Sequence, residues 1–408
     1  MTGRSTLALT IGSLAVWAAL SPGVSRAGGF DSALSALEET RPLLDVRLRS
    51  ETVDQAGLEK EADALTLRTR LGFETGKLAD TSLLAEAAIM WPWEESYNST
   101  VNGKTSYPVV ADPGYYGVNR LQLTNTSLAG TTLSVGRQRI NLDDQRFVGN
   151  SGWRQNEQTF DSARLVNTSV PGLTVDLTYI DRVNRVFGPD SPVGRYTGNS
   201  YLVNIGYNTP LGRLTAFDYL LSFDQARTDS SQTVGLRLAG ERAAGALKLA
   251  YDASYARQES YSHNPLDYRD DYYIGELTAS YKGYSLGGGV EVLGSDGIKG
   301  FATPLATYHR WDGWDDKFLT TPVNGLQRKY ATLGLLVKAF AGLESLAASA
   351  TYHDFSAARL GRHYGSEIDL QLQGKWRRFT GLLKFADYAA DQFATTTRKV
   401  WVELDYLW

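Results

Sequence analysis

The sequence predicts an all-β protein: a single transmembrane antiparallel β-barrel, most simply of 18 strands, with 16 as the alternative count. Three observations predict it. Apolar and polar residues alternate with a period of two in segment after segment. After residue 30 no apolar run is long enough for a membrane helix, so a membrane-inserted chain has to close into a barrel. Short turn-forming connections alternate with long polar ones, as periplasmic turns alternate with outer loops in bacterial barrels.

Composition narrows the alternatives. The 408 residues carry 41 basic and 45 acidic side chains, a net charge of −4. Nothing here is strongly basic, which argues against nucleic acid as a partner. The absence of Cys excludes a disulfide scaffold or a thiolate metal site. A hydrophobic fraction of 42% with 46 aromatic residues excludes a disordered chain. The 40 Gly and 23 Tyr suit a large barrel.

The first element is an address. Arg4 precedes an apolar run from Leu7 to Leu20, then Ser21-Pro22-Gly23 and the small residues Ser25 and Ala27. This reads as a signal peptide over 1–27, cleaved before Gly28. Cleavage leaves 45 acids against 39 bases, a net of −6. Residues 28–42, with Phe30, Leu34 and Leu37, suggest a short helical segment on the periplasmic side, and 43–408 the barrel.

The strands follow in order. Leu44, Val46 and Leu48 alternate with Asp45, Arg47 and Arg49, and Leu65, Leu67 and Leu71 alternate with Thr66, Arg68 and Arg70. Ile89 and Trp91 face away from Glu86, Val203 and Ile205 from Asn204, Tyr251 and Tyr255 from Asp252 and Ser254, and Ile368 and Leu370 from Glu367 and Asp369. At the end Val400, Val402, Leu404, Tyr406 and Trp408 share one face, with Lys399, Trp401, Glu403 and Asp405 on the other. A terminal strand closing on an aromatic residue resembles the signal read by the barrel assembly machinery, which makes Trp408 the expected contact to that partner. Short turns fall at 76–80, 126–130, 167–172, 208–213, 240–245, 282–284, 339–344 and 376–378. Eight hairpins with one strand at each end make 18. The strands near 131–141 and 379–387 carry Gly136 and Gly381, read as bulges or register shifts. Long outer connections include 92–117, 142–158, 184–198, 259–270 and 295–325.

Three segments resemble the alginate-export family of outer-membrane barrels. The first runs from Gly136-Arg137-Gln138 through Asp144-Gln145-Arg146-Phe147-Val148-Gly149-Asn150 to Trp153-Arg154-Gln155-Asn156 and Thr159-Phe160-Asp161. The second runs from Pro304-Leu305-Ala306-Thr307 through Asp312-Gly313-Trp314 to Asn324-Gly325-Leu326, and the third is Tyr364-Gly365-Ser366-Glu367-Ile368-Asp369. The resemblance implies an 18-stranded barrel with a charged, Arg-rich lumen, in a family whose best-known members pass an anionic polysaccharide outward.

The strand phases place Arg47, Arg49, Arg68, Arg70, Arg120, Arg164 and Arg237 inward. The planar guanidinium fork pairs two-point with carboxylates, so a line of arginines suits a carboxylated solute. The opposing reading is a lattice in which inward acids such as Glu74, Glu86, Asp176, Glu276, Glu291 and Asp369 neutralise them and stiffen the wall. The connection around 142–161 is expected to fold inward, with Arg146, Trp153, Arg154, Gln155 and Asn156 at a constriction. Asp312, Asp315 and Asp316, like Asp267, Asp270 and Asp271, are hard oxygen donors for Ca²⁺, but their spacing is not an EF-hand, so no metal and no cofactor is assigned. The four His residues, at 263, 309, 353 and 363, form no recognisable triad with a nucleophile elbow.

The expectation is an integral protein of the outer membrane of a Gram-negative bacterium, in contact with its lipid and lipopolysaccharide. It would pass an anionic or polar (poly)saccharide or similar solute passively through an Arg-lined lumen. The alternatives are a general or small-anion diffusion porin and, from another class, an outer-membrane barrel enzyme.

Overall fold

The computed structural model describes residues 26–408; the signal peptide expected over 1–27, apart from its last two residues, lies outside them. A helix, α1 (Arg26–Glu38), precedes 18 strands. They are β1 (Arg41–Gln55), β2 (Ala62–Glu74), β3 (Thr81–Ser96), β4 (Tyr115–Asn125), β5 (Thr131–Gln138) and β6 (Thr159–Asn167). Then come β7 (Leu173–Asn184), β8 (Arg195–Thr209), β9 (Gly212–Leu221), β10 (Ser231–Ala244), β11 (Leu247–Ser260) and β12 (Arg269–Tyr281). The last six are β13 (Tyr284–Leu293), β14 (Leu326–Phe340), β15 (Leu343–Ser356), β16 (His363–Trp376), β17 (Phe379–Ala390) and β18 (Thr397–Leu407). Each strand pairs antiparallel with its sequence neighbours, and β1 pairs with β18 from Asp45↔Leu407 to Gln55↔Thr397. The sheet is therefore closed and has no edge strand, as a bilayer requires.

The period-two pattern inverts the logic of a soluble protein. In β18 Val402 and Leu404 are exposed on the outside, while Trp401 and Glu403 are buried in the lumen. In β2 Leu71 and Phe73 face out, while Arg68 and Arg70 are buried inside. The apolar outer band faces lipid, and the polar inner wall pairs with itself and with the loops.

All eight short turns are present. Lys282-Gly283 and Ala341-Gly342 have positive φ at both positions (49° and 91°, 48° and 84°), the conformation whose twist suits a two-residue hairpin. Several expected boundaries move. β1 starts at Arg41 rather than 43, and β10 continues through Gly240 to Ala244. Register shifts occur at Leu65/Thr66, Glu86/Ala87, Asp161/Ser162, Ile180/Arg182 and Phe355/Ser356, not at Gly136 or Gly381. Gly136 is needed for another reason: its φ is +117°, and a Cβ there would lie 2.2 Å from the carbonyl oxygen of Leu121.

Two long connections enter the barrel. Residues 139–158 and 294–325 meet through a bridge between Val148 and Leu305, and Gly149 N–H donates to the Leu305 carbonyl at 2.9 Å. They carry much of the apolar core, including Ile140, Val148, Phe301, Leu305, Trp311 and Phe318, packed on Phe217, Tyr272 and Phe355 of the wall.

Candidate functional site: inserted loops against an arginine wall

The inward face of β1, β2 and β18 meets the tip of the 139–158 connection. Arg47 donates from Nε to Asp405 at 2.7 Å and from Nη1 to the carbonyls of Gly152 and Trp153, at 3.1 and 2.9 Å. Arg49 pairs with Glu403 and donates to the Trp153 carbonyl. Arg68 and Arg70 share the carboxylate of Asp45, and Arg70 also lies 3.6 Å from Glu157. Gln155 donates to Thr66 Oγ1 at 2.7 Å, and its backbone N–H donates to Asp112. Asn156 reaches the Pro113 carbonyl. Four of the expected lumen arginines and three of the expected loop residues thus meet in one place.

Trp153 is the organising ring. Arg49 sits over it at 4.0 Å from the ring centroid, and His309 stacks on it at 4.1 Å with the planes 2° apart. Trp401 contacts it edge-on at 5.8 Å. Lys384 reaches both Trp153 and Trp314, and its ammonium lies 2.7 Å from His309 Nε2. Cations over indole faces in a dry site contribute about 1–2 kcal/mol each.

The other expected arginines lie apart. Arg120 is held by Glu86 at 2.6 Å, Arg164 by Asp176, and Arg237 by Asp144 and Asp252. Arg146 is fully buried between Glu291 at 2.5 Å and Asp312 at 2.9 Å, with Arg328 completing the cluster. It fastens the inserted loops to the wall. Arg154 joins Asp316 at 2.6 Å and Glu51 at 3.5 Å.

Electrostatics in the inserted loops follow these pairings. Burial alone would raise Glu157, but Arg70 and Arg139 outweigh it and hold the carboxyl at about 2. Asp316 lies far below the ordinary carboxylate range: burial opposes ionisation, yet Lys399, His309 and Arg154 surround it. Asp315 goes the other way, pushed up to about 8 by burial and by Glu367. Burial and nearby Lys384 hold His309 well below its usual value, so its ring is neutral. Asp312 and Asp316, considered above as Ca²⁺ ligands, are taken by arginines and lysines. Among the described residues no group of three or more His, Cys, Asp or Glu is placed to hold a metal ion.

Every expected lumen arginine has a carboxylate partner. The acids that neutralise the first two strands are Asp45 on β1 itself, Glu403 and Asp405 across the closure, and Asp112 and Glu157 from loops. The inward placement of Glu403 and Asp405 was already legible in the final strand. Closing the barrel in thought would have set them beside Arg47 and Arg49. Some donors remain over: Nε and Nη1 of Arg68, Nε of Arg70 and Nη1 of Arg49 are buried without a hydrogen-bond acceptor. The loops also enclose a cavity of about 290 Å³ lined by Trp153, Arg154, Phe187, Tyr308, His309 and Leu319 among others.

No protein-family model matches the sequence, and no curated protein matches it. Solved structures do. Pseudomonas aeruginosa OpdK with vanillate superposes with a TM-score of 0.69 at 15% identity, over 91% of this chain and 99% of that one. P. aeruginosa OccK5 (OpdH) gives 0.69 at 12%, again over 91% and 99%. Acinetobacter baumannii OccAB4 gives 0.68 at 16%, over 91% and 98%. The fold is that of the 18-stranded outer-membrane porins. This likeness supports a porin barrel, not the alginate-export family that the three segments resemble.

Proposed function

We propose that the chain is a passive diffusion channel of a Gram-negative outer membrane, for small solutes carrying a carboxylate or similar anionic group. The observation that carries this is the arginine wall, where Arg49, Arg68 and Arg70 keep guanidinium N–H groups without acceptors, and Trp153, on which Arg49 rests, also lines a cavity of about 290 Å³. A solute carboxylate would exchange among several such donors, each contact weak enough to release it. The vanillate, a carboxylate, in the OpdK structure lends the same class of solute support. Passage of an anionic polysaccharide fits less well, because two connections are interlocked inside the lumen.

Liposome swelling with purified protein tests this reading. Small monocarboxylates should enter faster than neutral sugars of equal size, and a polyuronate should neither enter nor block. Equal rates for carboxylates and neutral sugars would overturn carboxylate preference, and polyuronate passage would restore the polymer reading.

A further inference from the structure

The barrel wall is incomplete near its outer rim. β4 pairs with β5 only from Leu121↔Arg137 to Asn125↔Leu133, yet it stays paired with β3 up to Met90↔Tyr115. The reason is that the chain leaves the wall after Gln138 to form the inserted loop. Residues Tyr115–Arg120 therefore have no strand on their β5 side. A cleft of about 200 Å³ fills the gap. Its lining comes from both sides of the wall: Tyr116 is 85% exposed on the outer surface, whereas Asn119 and Glu157 are 6% and 5% exposed in the lumen.

Four arginines line this cleft: Arg137, Arg182, Arg185 and Arg195. They have one carboxylate among them in direct contact, Asp161, which takes Arg137 fork-to-fork at 2.7 and 3.0 Å and lies 3.7 Å from Arg182. Glu157, at the inner end, is held by Arg70 and Arg139. Arg182 Nε is buried with no acceptor. Arg185 rests on the rings of Phe187 and Tyr196 and donates to the Val193 carbonyl, and Arg195 makes no ion pair among the described residues. The lumen arginines are matched by acids; these are in surplus. Beside the cleft a second hollow of about 510 Å³, lined by Ile89, Trp91 and Pro92 with Asp190 as its one carboxylate, opens on the outer face and shares Tyr115, Tyr116 and Pro189 with it. Ile89 and Trp91 are 51% and 64% exposed there.

We propose that this cleft binds an outer-leaflet lipid whose headgroup carries a phosphomonoester, with no choline or other cation masking its charge. Its phosphate would lie among Arg137, Arg182 and Arg195, and an acyl chain along Ile89, Trp91 and Tyr116. Guanidinium forks match phosphate oxygens two-point, and the aromatic and aliphatic hollow at the outer rim suits the tail. A free anion would use the arginines and leave the hollow empty, so the two sources separate by experiment.

Purified full-length barrel in detergent, titrated with bisphosphorylated lipid A, phosphatidylcholine or inorganic phosphate and read by native mass spectrometry, tests the site. Lipid A should be retained and phosphatidylcholine not. Arg182→Gln with Arg195→Gln should weaken retention roughly tenfold or more, the scale of losing charge-assisted hydrogen bonds. Arg195→Gln alone should weaken it in part; because Arg195 pairs with no acid, misfolding would not explain that loss, and heat-modifiable migration would verify the barrel. Arg257→Gln, at an exposed arginine elsewhere on the rim, should change nothing. Undiminished lipid A retention in the double variant would overturn the proposal. So would displacement of lipid A by inorganic phosphate at the same concentration, which would leave an anion site only.

Discussion

Trp153 shows how much chemistry one side chain gathers where the inserted loop meets the wall. Its backbone carbonyl accepts from Arg47 and Arg49, while its ring meets Arg49, His309, Lys384 and Trp401. Trp153→Ala keeps the carbonyl and deletes the ring. Single-channel conductance should rise, with a modest fall in thermal stability, because contacts worth about 1–2 kcal/mol each are lost. Unchanged conductance would place the ring outside the pathway. Asp315 offers a pH test of its own. Its carboxyl is raised to about 8 by burial and by Glu367, so the folded state holds a proton that the unfolded chain releases near 4. Stability from this group therefore falls as pH rises from about 4 through about 8. Asp315→Asn should melt like the parent at pH 3.5 and higher than the parent at pH 9; equal melting at both values would show that Asp315 is not protonated in the fold. At this scale the sequence located side chains but not their partners. Alternation sets which wall a residue lines, so Arg47, Arg49, Arg68 and Arg70 were legible. Asp112 and Glu157 come from loops, whose paths no periodicity describes.

Among the elements, the two inserted connections depend on buried ion pairs. Arg146 links the 139–158 loop to Glu291 on β13 and to Asp312 in the 294–325 loop. Removing one member of such a cluster leaves carboxylates uncompensated, at a cost of about 3–5 kcal/mol. Arg146→Met should therefore release the loops while the closed sheet persists. Larger, noisier conductance with intact heat-modifiable migration is the expected result, and parental conductance would show that the apolar core around Phe301 and Leu305 holds the loops without it. The strand count was legible because turn chemistry is local: Lys282-Gly283 announces its own hairpin. The inward course of residues 139–158 was suggested by large polar and aromatic residues, but the insertion of 294–325 was not, since its burial rests on tertiary packing of Phe301, Trp311 and Phe318. Gly136 was read as a bulge because glycine marks both bulges and close approaches, and sequence does not separate them.

At the scale of the molecule, the outside and inside of the barrel obey opposite rules. Outward residues need only be apolar, so many sequences satisfy them, which is why porin structures at 12–16% identity superpose over nine-tenths of the chain. The same tolerance explains why wording shared in three segments pointed to one barrel family while the folded structure resembles another group of porins. On the proposed reading, a few residues of the arginine wall decide the solute, because low-dielectric walls strengthen the field of each charge. Exposed charges beyond ~8 Å are screened at physiological salt, so the net of −4 for the whole chain says little about selectivity.

The most direct test of the anion pathway is therefore the reversal potential of the double variant Arg68→Ser/Arg70→Ser in a planar bilayer with a salt gradient. These two arginines share Asp45, and Arg70 also faces Glu157. Removing both leaves those carboxylates under-compensated at the arginine wall. The parent channel should be anion-selective, the variant should shift toward cations, and the shift should shrink at high salt. A variant with the parental reversal potential and only a lowered melting temperature would contradict the account, and would make the arginine wall a structural lattice.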